Sequence, residues 1–465
     1  MLYHRAYRWL LWFVLFAIFC GCATYYRKTL QFQEYVVTGN FEKADQWLDK
    51  ESKDKKGKNV LLYNLNRGYV SFMLQNYEAS NHYFHTADLL IEDYIKNPAN
   101  EALALLSNPT VKPYKPEDFE AVMLHYFTAL NFVAMGKYSD ALVECRRVNI
   151  KLNQLNDKYK DHKNRYQRDA FAHLLMGLIY EANRDYNNAF IAYRNAAEIY
   201  EQDYAKNFGV HIPQQLKQDI LRTAYLTGFF DEVRFYEKIF SMNYTHTPVT
   251  NPEVIVFWLN GFGPIKHEWS INFTQLPGNT GFITLVNPDL GLNFPFYIGD
   301  RPAHERSAFS QFSMLRVAFP KYVERPPLFT SASIEGIKEN YSLQMVENIN
   351  DIAFKTLHDR MLRELSNSLL RLFTKKALEY AVRQQNSNLG AAVSIANALT
   401  EKADTRNWQT LPYSISYCRI PAREGINELS LTLHGHNNSK KTHKIRVNCG
   451  KSGLYFYSFH SLEMR

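Results

Sequence analysis

Apolar positions follow a helical period through the first half of the chain and a strand period through much of the second. From residue 25 to about residue 245, small and aromatic residues recur three and four positions apart, the spacing of one helix face. Beyond Pro248 the apolar residues alternate or form short runs between glycine and proline, as in VIVFWLN from Val254, which is typical of strands. A helical stripe returns between Met345 and Gln384. The pattern predicts an α+β protein.

The helical half contains internal repeats. MGLIYEANRDYNNAFIAYRNAAEIY reads as two short helices, and related stretches are GNFEKADQWL, NRGYVSFMLQNYEASNHYFHTADLL, TALNFVAMGKYSDALVECRRV and GFFDEVRFYEKIF. They resemble tetratricopeptide repeats, in which small residues let two helices approach and aromatic residues fill the groove to the next hairpin. The residues at these packing positions are Gly68, Tyr77, Ala87, Gly136, Tyr138, Ala141, Gly177, Tyr180, Ala189, Tyr193 and Ala196.

One hairpin cannot bury its apolar face alone, so the repeats are expected to stack into an α-solenoid over residues 22–245. Regular repeats of this kind recur at about 34 residues, whereas the second and third copies here are separated by a longer, proline-containing stretch, residues 96–119. This stretch predicts a protruding insert. The concave face of such an array usually binds peptides or proteins.

The first residues have the layout of a secretory signal. Arg5 and Arg8 precede an apolar block from Trp9 to Phe19. A membrane-spanning helix needs about 20 apolar residues, so retention as such a helix is the weaker alternative.

The apolar block ends in Phe19-Cys20-Gly21-Cys22, which resembles the lipobox of bacterial lipoproteins. This resemblance implies a signal peptide over residues 1–21 and lipid attachment at Cys22, and two acyl chains already give stable anchoring. The alternative is an ordinary signal with incidental cysteines. Because Ala23 replaces the aspartate that retains such proteins in the inner membrane, the resemblance implies the outer membrane, facing the periplasm.

Composition argues against a nucleic-acid partner. The 465 residues carry 54 Lys and Arg against 46 Asp and Glu, a net charge of +8 that is mild for this size. The lysine-rich run from Lys53 to Lys58 mixes signs and lacks aromatic residues, so it reads as a solvated loop. A disulfide between Cys418 and Cys449 is permitted in the periplasm. The alternative is that both cysteines, like Cys145, are small buried apolar residues.

The second half, residues 246–465, is predicted to be a mixed module with strands and one or two long helices. Two of its stretches, VIVFWLNGFGPIKHEWSI and ADTRNWQTLPYSISYCRIPAREGINELSLTL, resemble the C-terminal region of a poorly characterised family of bacterial envelope lipoproteins with tetratricopeptide-like repeats. The resemblance implies an accessory envelope role and supplies no catalytic residues. The residues that carry it are Gly261, Pro264, Lys266, Asp404, Arg406, Trp408, Leu411 and Pro412.

Within the second stretch, Asp404 and Arg406 are close enough to pair, and Trp408 is expected to cover them where helix gives way to the last strands. This arrangement predicts a structural cap for that junction, with ligand contact as the alternative.

No recognisable catalytic motif is present, so neither an enzyme nor a cofactor is expected. His267-Glu268 lacks the second histidine of a helical zinc site. A metal site at His434, His436 and His443 is a minor alternative because no carboxylate is close in sequence.

The sequence therefore predicts a lipid-anchored periplasmic scaffold that binds envelope proteins. The peptidoglycan machinery is one of the candidate partners. The alternative is an outer-membrane glycan-binding lipoprotein that works with a transporter, since 31 Tyr, 31 Phe and 6 Trp could supply stacking platforms.

Overall fold

The structure is a computed structural model that describes residues 25–50, 54–96, 110, 112–157, 165–248, 250–277, 281–300, 306, 314–336, 339–385 and 402–465. The α+β prediction is confirmed: helices make up the first half, and three mostly antiparallel sheets and a long helix lie in the second. Among the described residues, no helix combines the length and apolarity that a membrane crossing requires.

The helices of the first half follow one another with short connections. Their bounds are α1 Tyr25–Lys28, α2 Leu30–Val37, α3 Phe41–Lys50, α4 Val60–Met73, α5 Tyr77–Lys96, α6 Asp118–Ala134, α7 Tyr138–Asp157, α8 Ala170–Ala182, α9 Tyr186–Ile199, α10 Ala205–Phe208, α11 Gln214–Thr227 and α12 Phe230–Phe240. A π-helical turn, Tyr200–Tyr204, joins α9 to α10.

Within the described residues, five helix pairs form hairpins with the same turn: α2–α3, α4–α5, α6–α7, α8–α9 and α11–α12. Each first helix is followed within two residues by a residue with positive φ, and the next amide donates to a carbonyl five residues back, which is the Schellman closure of a helix. The turn residues are Gly39, Gln75, Gly136, Arg184 and Gly228. The repetition of one turn geometry indicates that the five hairpins are equivalent units.

The second half is built on three four-stranded sheets. Their strand orders are β12-β1-β9-β8, β11-β10-β6-β7 and β4-β3-β2-β5, and β1 pairs with β12 in parallel. The bounds are β1 Glu253–Asn260, β2 Ile265–Pro277, β3 Phe282–Asn287, β4 Leu292–Tyr297, β5 Met314–Val323, β6 Phe329–Glu335, β7 Asn340–Ser342, β8 Gln344–Glu347, α13 Ile349–Gln385, β9 Ser414–Pro421, β10 Gly425–Gly435, β11 Lys440–Cys449 and β12 Leu454–Ser461.

Strand β1 explains how the two halves are joined. Its alternate side chains point to opposite faces of the sheet: Ile255 and Phe257 belong to the core shared with the helices, whereas Val254 and Val256 pack toward the second sheet. The strand is therefore covered on both sides, which accounts for its continuous apolar run. One apolar core extends from the first hairpin into the strands, so the two halves are packed together.

Two local expectations differ from the structure. The described end of the predicted insert does not protrude, because Tyr114, Glu117 and Phe119 are buried. The predicted second helix near residue 390 lies mostly outside the described residues, and its described end, residues 402–404, is not helical.

Candidate interaction surfaces

The lipid-attachment position, Cys22, lies outside the described residues, which begin at Tyr25. Tyr25 is buried, and its amide donates to Thr405 Oγ1 at 3.5 Å. The chain is thus fastened to the C-terminal half three residues after Cys22.

The packing residues predicted from the repeats occupy the hairpin interfaces in most cases. A Cβ on Gly68 would lie 2.6 Å from the ring of Phe84, and one on Gly177 would lie 2.3 Å from the ring of Tyr193. These contacts explain why glycine stands at both positions. Ala87, Ala141, Ala189, Tyr193 and Ala196 are buried.

Other predicted packing residues have different surroundings. Gly136 has φ +71° and no atom near its missing Cβ, so it closes a turn and packs against nothing. Tyr77, Tyr138 and Tyr180 are only partly buried, and the Tyr180 hydroxyl accepts a hydrogen bond from Arg146 at 2.7 Å. The sequence alignment of the repeats did not separate these roles.

The possible disulfide is not formed. Cys418 and Cys449 are free, buried thiols in the apolar layer between two sheets, and Cys145 is a free, buried thiol in α7. Burial raises the pKa of the Cys449 thiol. All three cysteines serve as small apolar residues.

The histidine candidates do not converge on a common site. His267 and Glu268 are consecutive on β2 and so point to opposite faces of the strand. Glu268 accepts a hydrogen bond from the Ala403 amide at 2.7 Å. His434 lies 3.2 Å from Ser333 Oγ, and His443 packs on Phe459. Within the described part of the chain, no group of three His, Cys, Asp or Glu side chains could hold a metal ion.

The four tryptophans that the structure describes do not form exposed stacking platforms. Trp258 and Trp408 are buried, and Trp47 and Trp269 are partly buried. The tryptophans therefore do not support the glycan alternative, although Phe230, Phe235 and Tyr297 are exposed.

Segment 404–413, which contains a turn at residues 409–410, joins the strands to the helices. Asp404 and Arg406 pair as predicted, with Nη2 2.7 Å from Oδ2. Arg406 also donates to the carbonyls of Lys58 and Lys112, at 3.3 and 3.0 Å. Its guanidinium therefore ties two loops of the helical half to the C-terminal half.

The expectation that Trp408 covers this pair is wrong. Its ring lies against Phe84 and Phe127, with centroids 5.7 and 5.8 Å away, inside the helical array. Its Nε1 donates to Thr410 Oγ1 at 2.8 Å, and its amide donates to Glu120 Oε1 at 2.6 Å. Sequence proximity suggested the salt bridge, whereas aromatic partners more than 280 residues away determine the ring position.

A buried charge cluster lies beside this tryptophan. Lys266 and Arg360 both donate to Glu117. Burial raises the pKa of Glu117, but the two cations outweigh burial and hold it at about 2. Burial and the neighbouring Glu117 charge raise the pKa of Glu120 to about 7. Lys266, one of the residues that carry the resemblance to the lipoprotein family, thus neutralises a buried carboxylate between the two halves.

A second buried cluster joins α8 and α11 to the strands. Arg419 of β9 pairs with Glu181 at 2.9 Å, with Asp219 at 3.3 Å and with Glu253. Arg222 adds a bond to Asp219 at 2.6 Å. Although burial raises the pKa of Glu181, the two arginines lower it to about 2.

The first helix of every hairpin faces the chain's own C-terminal half. Gln33 of α2 contacts Gln409, Asn66 of α4 contacts Thr410, and Phe127 of α6 contacts Trp408. Phe171 of α8 contacts Phe257, and Glu181 of α8 and Asp219 of α11 both pair with Arg419. This surface of the array is occupied by the same molecule.

The second helices carry an exposed apolar row. Val143 of α7, Ile191 of α9 and Phe235 of α12 each stand five residues after the first residue of their helix. They are 44%, 38% and 55% exposed, although their side chains are apolar. The three residues therefore occupy corresponding positions in their helices, and we call them the apolar row.

A row of cations lies one helical turn further along the same helices. Arg146, Arg194 and Lys238 stand three residues after the apolar positions and are exposed. In the part of the chain that the structure describes, no carboxylate lies within ion-pair distance of these three side chains, whereas the neighbouring Arg147 pairs with Glu144. We call the two rows together the outer rows. The repeat alignment contained these apolar and basic positions, but their exposure can be recognised only when the packed face of each helix is known.

Acidic residues mark the opposite side of the apolar row. Asp140, Asp185 and Asp231 lie at the beginnings of α7, α9 and α12, where a carboxylate is favourable near the helix N-terminus. Acidic, apolar and basic positions therefore follow in the same order along α7, α9 and α12, with the acidic residue three, six and four residues before the apolar one.

Comparisons with known proteins place the chain in no family. No family model matches the sequence, and no curated protein is significantly similar to it. Among solved structures, the crystal structure of the apo form of RapI is similar at 13% sequence identity with a TM-score of 0.30. The similarity covers 46% of this chain and about half, 49%, of that chain.

Proposed function

We propose that this protein is a lipid-anchored periplasmic scaffold or adaptor whose hairpins are tetratricopeptide-like repeats. The signal-like N-terminus with Cys22 supports the anchoring. The shared turns and the close glycine contacts at Gly68 and Gly177 support the repeat assignment. The protein would act by presenting a binding surface at a fixed place, because confinement at a membrane raises the effective concentration of a bound partner.

The observation that carries the proposal is the division of the array into two surfaces. The first-helix surface is filled by the chain's own strands and by segment 404–413. A partner therefore binds the outer rows on the second helices. Envelope proteins, including peptidoglycan machinery, are the candidate partners.

The order of charges indicates the chemistry of that partner. Apolar residues between an acidic and a basic row fit an amphipathic helix that carries carboxylates on the flank facing Arg146, Arg194 and Lys238. A uniformly anionic bilayer fits less well, because the acidic starts of the same helices would repel it. Complementary rim charges of this kind set orientation and partner choice.

Site-specific photo-crosslinking in intact cells tests the proposal. A photoreactive residue at Ile191 should give one defined adduct with an envelope protein. Cys22→Ala should abolish the adduct because the chain is no longer held at the membrane, whereas Cys20→Ala, which changes a residue removed with the signal, should not. Equal adducts from the two variants would contradict the anchoring.

Charge reversal tests the surface itself. Arg146→Glu, Arg194→Glu and Lys238→Glu together should reduce the Ile191 adduct about tenfold or more, at roughly 0.5 kcal/mol or more for each exposed pair. The matched control reverses exposed cations of the C-terminal sheets: Arg423→Glu, Lys444→Glu and Lys451→Glu. An adduct that falls equally in both triple variants would refute docking on the outer rows.

A further inference from the structure

The connection between the lipid-attachment position and the folded body is very short. Cys22 precedes the buried Tyr25 by three residues, which span at most about 11 Å when fully extended. The amide of Tyr25 is held by Thr405. If Cys22 is acylated, the face of the body around Tyr25 must therefore lie against the lipid headgroups.

Arg406 identifies which segments form that face. It follows Thr405 directly, donates to the carbonyls of Lys58 and Lys112, and its guanidinium lies 5.4 Å from the ring centroid of Tyr114. The loops around residues 54–59 and 112–115 thus meet the N-terminus at one place.

These segments present cations to solvent. Asp404 is paired with Arg406, whereas Asp54, which accepts a hydrogen bond from the neutral Asn59 at 2.9 Å, keeps its charge among the lysines. The exposed basic residues, which we call the anchor face, are Arg27, Lys28, Lys56, Lys58 and Lys115.

Three of these cations are available to an external anion. Within the described ranges, no carboxylate lies within ion-pair distance of Lys56, Lys58 or Lys115. The Lys58 ammonium donates to a backbone carbonyl, that of Thr110, at 2.6 Å, which leaves its charge uncompensated.

We propose that the anchor face binds the anionic phospholipid headgroups of the leaflet that holds the acyl chains. The proposal rests on acylation of Cys22. It adds that the folded part of the chain has one preferred orientation on the membrane. Each cation near an anionic surface contributes about 1 kcal/mol, so three of them favour the apposed orientation by on the order of a hundredfold. The array's later hairpins, with the outer rows, then extend from a fixed base.

Hydrogen–deuterium exchange on the full chain in lipid nanodiscs tests this orientation. One bilayer is phosphatidylcholine alone, and the other contains phosphatidylglycerol with the same acyl chains. We expect slower amide exchange in residues 54–59 and 112–115 with phosphatidylglycerol, and loss of the difference at high salt because screening weakens exposed charge interactions. Lys56→Glu, Lys58→Glu and Lys115→Glu together should also remove the difference, whereas the triple control in the C-terminal sheets should retain it.

The outcomes separate this proposal from the proposed function. The intact mass of the same sample reports whether Cys22 is acylated, and an unacylated chain overturns the proposed function and this proposal together. An acylated chain whose exchange is the same in both bilayers overturns the lipid contact alone. Protection of these segments by an acidic protein, in either bilayer, would also overturn it. The salt dependence of the unmodified chain keeps the test decisive if the triple variant folds poorly.

Discussion

Trp408→Ala should destabilise the whole molecule in one step. The ring is buried against Phe84 and Phe127, which belong to two successive hairpins, while its backbone belongs to the segment that leads into β9. Truncating a buried tryptophan to alanine costs about 3–5 kcal/mol, since the cavity is only partly refilled. The amide bond to Glu120 survives, because it uses the backbone.

Trp408→Phe is the matched control. It keeps an aromatic ring between the hairpins but loses the bond from Nε1 to Thr410, so we expect a loss of about 1–2 kcal/mol. Urea unfolding measured by circular dichroism reports the helices. Tryptophan fluorescence, measured in a Trp47→Phe background because Trp47 lies in α3, reports the strands through Trp258 and Trp269.

The two probes should give one coincident transition in the unmodified protein and a shift of both in Trp408→Ala. A helical transition that stays unchanged while the strand signal shifts would refute the reasoning. That result would mean that the two halves are stable separately and merely adjacent.

Three further predictions concern buried contacts. Burial lowers the pKa of His460 from 6.5 to about 4, so its stability contribution is complete above pH 6.5 and is lost as the pH falls toward 4. His460→Gln should therefore lose less stability than the unmodified protein between pH 7 and 5, with His436→Gln, at an exposed site, as the control variant. Gly177→Ala should cost about 1–3 kcal/mol of unfolding free energy in urea, since the new Cβ would overlap the buried ring of Tyr193, and an unchanged midpoint would contradict the close approach. Arg419→Met leaves Glu253 without its cation and Glu181 and Asp219 with Arg222 alone, and it should cost about 3–5 kcal/mol, measured the same way.

The sequence predicted the order of the elements well because local periodicity determines it. The helical hairpins, the apolar run of β1 and the long helix α13 all follow from spacing of 3.6 or 2 residues. Turn residues were harder: Gln75 and Arg184 occupy the left-handed position that Gly39 and Gly136 occupy elsewhere, and neither residue type indicates it.

The packing between the halves was not predictable from local pattern. Trp408 contacts helices several hundred residues away, and Arg419 pairs with carboxylates on two different hairpins. The outer rows illustrate the same point, because Val143 and Ile191 have the apolarity of core residues and only the fold places them outside.

The mass of the N-terminal peptide, isolated from the cell envelope, tests the central claim most directly. A lipid-anchored scaffold predicts that the mature chain begins at Cys22 and carries the added mass of its acyl chains. A chain that begins at Met1, or an unmodified residue at the mature start, would contradict the account.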